Sequence, residues 1–214
     1  MNTNELIASL SAETPKQPMG TPAYYTLRLG AVLMAYALGA QVFLGFRGDL
    51  LTQFTRPMFT AEILLLVLLT VTSASAAIIS MYPDAYQKRG VLKLPYTAFS
   101  LLLMAMLFQL AMPHDSMMVL PEMLDAHEME CALCIASVAM VPSALIFGLL
   151  RKGASVRPVH SGAFAVLAAS AIGCLTLRLS EANDSLMHIV QWHYVPTILF
   201  ASLGALIGKY WLKW

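Results

Sequence analysis

Six long apolar runs, at residues 29–46, 63–81, 94–112, 131–150, 159–177 and 194–212, contain no Asp or Glu, and their only Lys or Arg is Lys209, near the end of the last run. Crossing a bilayer takes about 20 predominantly apolar residues at a rise of roughly 1.5 Å each. The pattern predicts an all-α, polytopic membrane protein with six transmembrane helices. Only 12% of the residues are charged, against about 25% in an ordinary soluble domain. Little is left for a soluble part: residues 1–28 form an N-terminal segment and 29–214 the transmembrane domain. The segment does not read as a signal peptide. It lacks a basic start, and Pro15, Pro18 and Pro22 break its apolar content, so the first span is expected to be retained.

Lys and Arg in short connections set orientation. With the N-terminus inside, the inner segments hold Lys16, Arg28, Lys88, Arg89, Lys93, Arg151, Lys152, Arg157, Lys209 and Lys213, whereas the outer ones hold only Arg47, Arg56 and Arg178. The asymmetry places both termini in the cytoplasm; in a bacterium the outer face would be the periplasm. The net charge of +1 gives no sign of a nucleic-acid partner.

The longest connection, 113–130, falls on the outside and is acidic, with Asp115, Glu122, Asp125, Glu128 and Glu130. Small residues recur four apart at Ala35 and Gly39, at Ala165, Ala169 and Gly173, and at Gly204 and Gly208. That spacing lets helices approach closely in lipid, where packing drives association. Pro142 interrupts the fourth span and predicts a kink there, either structural or a hinge; Pro196 falls in a first turn, where proline costs little. No span carries an ionisable group in its middle. Proton-coupled transport and ion conduction, which usually need such groups at that depth, are therefore disfavoured.

Chemistry concentrates in HEMECALC, residues 127–134, at the mouth of the fourth span. Cys131 and Cys134 are i and i+3, about 5 to 6 Å apart at Cβ on a helix, and a disulfide wants roughly 3.5 to 4.5 Å. Cys174 lies near the outer end of the fifth span, and His114, His127, His188 and His193 are outside as well. Thiolates and imidazoles suit zinc and softer cations. Cys131, Cys134 and Cys174 are accordingly candidate redox or metal sensors, with His127 and His193 as candidate ligands for an ion of Zn or Cd type. The bland alternative stays open: cysteine packs as a small apolar residue, and His193, between Trp192 and Tyr194, fits an interfacial aromatic belt.

In the N-terminal segment Asn2 can cap a short helix, with Glu5 reaching back. Leu6, Ile7 and Leu10 would share one face, suited to docking on a partner.

These residues together resemble the NrsF-type membrane anti-sigma factors, bacterial six-helix proteins. The matching pieces are TNELIASL (3–10), a cysteine opening the fourth helix, Pro142 within it and the basic turn LLRKGASVRP (149–158). A small-residue fifth helix, the pair Trp192 and His193 and the closing LGALIGKYWLKW (203–214) complete them. The resemblance implies a protein that holds an extracytoplasmic-function sigma factor inactive and releases it on oxidative or heavy-metal stress. Leu6, Ile7, Leu10, Arg151, Lys152 and Arg157 would then face the sigma factor. By the same resemblance Cys131 is the sensing cysteine at the start of the fourth helix. The family's second cysteine, about eleven residues before the outer Trp, falls here on Glu181, which leaves Cys134 or Cys174 as its partner. A rival reading is a quinone-linked thiol oxidoreductase working through Cys131 and Cys134, although such enzymes relay electrons through a second cysteine pair and only Cys174 remains.

Overall fold

The computed structural model describes residues 2–12, 20–111 and 129–212. Among them, six helices are long and apolar enough to cross a membrane, and no strand occurs. In chain order the elements are α1 (Thr3–Ala12), α2 (Pro22–Leu44), the short α3 (Leu50–Gln53) and α4 (Pro57–Ser80). A 3₁₀ turn (Pro83–Lys88) leads into α5 (Arg89–Ala111), followed by α6 (Met129–Leu150) and α7 (Pro158–Ser180). The one-turn α8 (Leu186–His188) runs through a π-helical segment (Ile189–Tyr194) into α9 (Val195–Trp211). The chain is thus an all-helical, polytopic membrane protein.

Helix starts follow local chemistry. Thr21 accepts a hydrogen bond from Tyr24 N–H and Pro22 follows it, so α2 begins ahead of the apolar run at 29. Pro57 and Pro158 likewise occupy first turns, where the missing N–H has no partner to lose, and Pro196 falls in the first turn of α9, directly after the π-helical segment. Pro142 lies buried inside α6, which continues through it to Leu150. In α1 the Asn2 N–H donates to Glu5 Oε2 at 3.0 Å, the reciprocal cap expected from the sequence.

The bundle is organised around α7, the most enclosed of the six spans, which packs against α4, α6 and α9. Small side chains make this possible: Ala165, Ala168, Ala169 and Ala171 are fully buried. Its contact with α9 is backbone on backbone. A Cβ added at Gly162 would lie 2.2 Å from Gly204 O, and one at Gly208 would lie 2.3 Å from Pro158 O. Gly173 meets α6 in the same way, 2.8 Å from Ile135 O. The small residues of the fifth and sixth spans thus serve close packing. Ala35 and Gly39 in α2 do not: both are exposed, and Gly39 has open space where a side chain would sit. Large apolar side chains such as Phe43, Leu64, Leu107, Met140 and Leu199 cover the outside, as lipid contact requires.

One end of the bundle collects the basic residues. There Ala154 N–H donates to Met81 O at 2.9 Å, and Arg151 lies over the Trp211 ring at 5.4 Å. A groove of about 560 Å³ opens beside it, lined among others by Arg89, Lys93, Tyr96, Arg157 and His160. The opposite end carries the polar cluster described next.

Candidate functional site

α7 ends at Ser180, and the next residue, Glu181, caps it through its own N–H to Leu177 O. This fixes Glu181 at the rim, where three elements converge on its side chain. From α6 comes Cys131, whose Sγ lies 3.7 Å from both carboxylate oxygens. The α8 helix supplies His188, with Nε2 3.0 Å from Oε1. The π-helical segment supplies His193, with Nε2 3.2 Å from Oε2. The four donor atoms lie within 4.8 Å of one another.

The two histidines meet because of the π turn. On a regular α-helix, positions five apart point about 140° away from each other. The i→i+5 hydrogen bonding of a π-helix stacks them instead, and the rings of His188 and His193 stand 5.4 Å apart, edge to face. His193 is fully enclosed, which removes it from any interfacial belt. Burial opposes ionisation of Glu181, but the His193 imidazole, with that of His188, outweighs it and holds the carboxyl below its usual range.

A second polar network braces the site from below. Arg178, one turn before Glu181, pairs with Glu62 of α4 through Nε at 3.0 Å and Nη2 at 3.1 Å. Tyr194 O–H donates to the same Glu62. Arg47, after α2, is held by Asp49 at 2.6 Å and by Asp184 at 2.9 Å, with Gln53 donating to both carboxylates. Hydrogen bonds from Arg47 lead the effects that keep Asp49 well below, and Asp184 below, the ordinary carboxylate range. Phe59 lies against both guanidinium groups, at 5.7 and 5.4 Å. Glu62 and Arg178 sit one residue outside the apolar runs at 63–81 and 159–177, so their burial was invisible in those runs.

Of the sequence candidates, the structure brings Cys131 and His193 together and adds Glu181 and His188. Cys174 lies elsewhere, fully buried, with Sγ 3.2 Å from Thr197 Oγ1 and 3.6 Å from His193 O. Cys134 is half-buried and packs among apolar residues of both core clusters. The three cysteines form no disulfide. His127 falls outside the described residues. At the other end, Arg151, Lys152 and Arg157 are exposed. Leu6 and Ile7 are exposed on α1, and the side chain of Leu10 lies outside the described residues.

A six-span helical bundle, with a braced polar cluster at one end and a basic rim at the other, defines a polytopic membrane protein. Its family follows from the whole chain: a family model described as negative regulator of sigma F, NrsF, matches residues 10–214, and the protein belongs to that family. No curated relative and no solved structure matches it.

Proposed function

We propose that this protein holds an extracytoplasmic-function sigma factor inactive at the cytoplasmic face of a bacterial inner membrane and releases it when its periplasmic end receives a stress signal. The observation that carries the reading is the family match across nearly the whole chain, since members are negative regulators of a sigma factor. Both termini lie in the cytoplasm in this reading, because the basic residues gather at the end where α2 starts and α9 finishes. There the exposed Leu6 and Ile7 of α1 offer an apolar surface to a partner. Arg151, Lys152 and Arg157 add a basic one. The signal enters at Cys131, which opens α6, and α7 carries it across because it contacts α4, α6 and α9 at once.

This reading makes the protein a regulator and not a thiol oxidoreductase. A relay needs thiols in reach of one another, whereas Cys131 faces Glu181 and Cys174 is enclosed against Thr197. Crosslinking and affinity capture of the tagged full-length protein from its native membranes is the test. A sigma factor should be recovered with the intact chain and lost when residues 2–12 are deleted. Recovery of no sigma factor from the intact chain overturns the reading.

A further inference from the structure

We infer that Cys131 Sγ, a Glu181 carboxylate oxygen and the Nε2 atoms of His188 and His193 form a four-donor site for a divalent transition-metal ion of zinc type. Metal binding stands by itself; its role as the signal rests on the regulator reading above.

Spacing comes first. Zinc bonds of about 2.0 Å to nitrogen or oxygen and about 2.3 Å to sulfur, arranged tetrahedrally, set neighbouring donors roughly 3.3 to 3.6 Å apart. Glu181 Oε1 lies 3.0 Å from His188 Nε2, Oε2 lies 3.2 Å from His193 Nε2, and each oxygen lies 3.7 Å from the sulfur. All four donor atoms lie within 4.8 Å of one another, so shifts of about an ångström bring them round one ion. One thiolate, two imidazoles and one carboxylate are borderline donors, which suit zinc and its neighbours rather than magnesium or calcium.

A separate observation points to a ligand. The His193 side chain is fully buried, yet neither ring nitrogen makes a hydrogen bond. Its Nε2 stands at ion-pair distance from Glu181, but the geometry is not that of an N–H···O bond. Buried polar atoms nearly always find partners; a metal ion would serve this nitrogen.

The charge also balances. As the ion enters, the Cys131 thiol proton leaves to solvent, so thiolate and carboxylate together neutralise a divalent cation. A neutral complex is what the rim of an apolar bundle tolerates best. Bound there, the ion ties the start of α6 to the α7–α9 connection, two elements whose spacing is set by no covalent link.

Cobalt(II) titration of the purified full-length protein in detergent tests the site by visible and near-ultraviolet absorption. Expected are a single cobalt ion per chain, ligand-field bands of tetrahedral strength and a thiolate-to-cobalt charge-transfer band, all removed by zinc. Cys131→Ser should abolish the charge-transfer band, and Glu181→Gln and His193→Gln should each weaken binding by at least about tenfold. Cys174→Ser should change nothing. Absence of the charge-transfer band in the unaltered protein, or its survival in Cys131→Ser, overturns the proposal. Unaltered gel-filtration behaviour certifies that each variant is folded. No sigma factor enters this assay, so failure of the site and failure of the regulator reading are separate results.

Discussion

Arg178 of α7 and Glu62 of α4 are joined side-on by two hydrogen bonds, with each side chain 3% exposed. Breaking a buried pair by removing one partner leaves a charge without compensation and costs about 3 to 5 kcal/mol. Glu62→Gln should therefore lower stability by about 3 kcal/mol or more in detergent-based unfolding. Tyr194→Phe, which removes only the hydroxyl donated to Glu62, should cost about 1.5 to 3 kcal/mol. Equal stability of Glu62→Gln and the parent would show that the pair does not brace the site.

The α7–α9 contact gives a second expectation. Gly162→Ala places its Cβ 2.2 Å from Gly204 O, so the helices must part, at about 1 to 3 kcal/mol for an overpacked contact. Gly39→Ala has open space and should leave stability unchanged or slightly raised. Thermal unfolding of the two variants side by side checks this.

The Arg47 clamp predicts a pH dependence. Asp49 and Asp184 ionise more readily in the folded protein than in the unfolded chain, where aspartate titrates near about 3.9. Groups with lowered folded values add stability that is complete above the unfolded value and is lost as pH falls through the folded one. The stability difference between the parent and Arg47→Met should hold steady from about pH 5 to 8 and shrink below about pH 4. A difference that grows on acidification would contradict the clamp.

Much of the fold was legible because hydropathy alone specifies membrane helices, and because Gly204, Gly208, Ala165, Ala169 and Gly173 announce close packing by their spacing. The same spacing misled at Ala35 and Gly39, since it shows that a smooth face exists but not that a neighbour covers it. Half of the cluster was legible too: Cys131 and His193 stood out as residue types. His188 was hard to join to His193 because α-helical periodicity turns the two apart, and the π turn that reunites them has no period in the sequence. Glu181, in a short polar connection, reads by its residue type as a solvated charge, although the family resemblance sets it at the position of the second cysteine. Its contact with Cys131 spans fifty positions, and nothing local records it. Glu62 and Arg178 were missed for the same reason, being partners 116 positions apart.

On the basic face, substitutions should separate binding from folding. Leu6→Asp with Ile7→Asp should reduce the captured sigma factor at least about tenfold, corresponding to about 1.4 kcal/mol of lost affinity, with no change in unfolding temperature because both side chains are exposed. Arg157→Glu, at the mouth of the basic groove, should act in the same direction. Quantitative capture from membranes, paired with thermal unfolding, distinguishes a lost contact from a lost fold.

The central claim, that a signal at Cys131 governs a sigma factor on the other side of the membrane, is tested most directly by quantitative crosslinking capture before and after brief exposure of cells to cadmium or a mild oxidant. The account predicts that the sigma factor recovered with the parent protein falls several-fold on exposure and stays constant in Cys131→Ser. An equal fall in Cys131→Ser, or no fall in the parent, would contradict it.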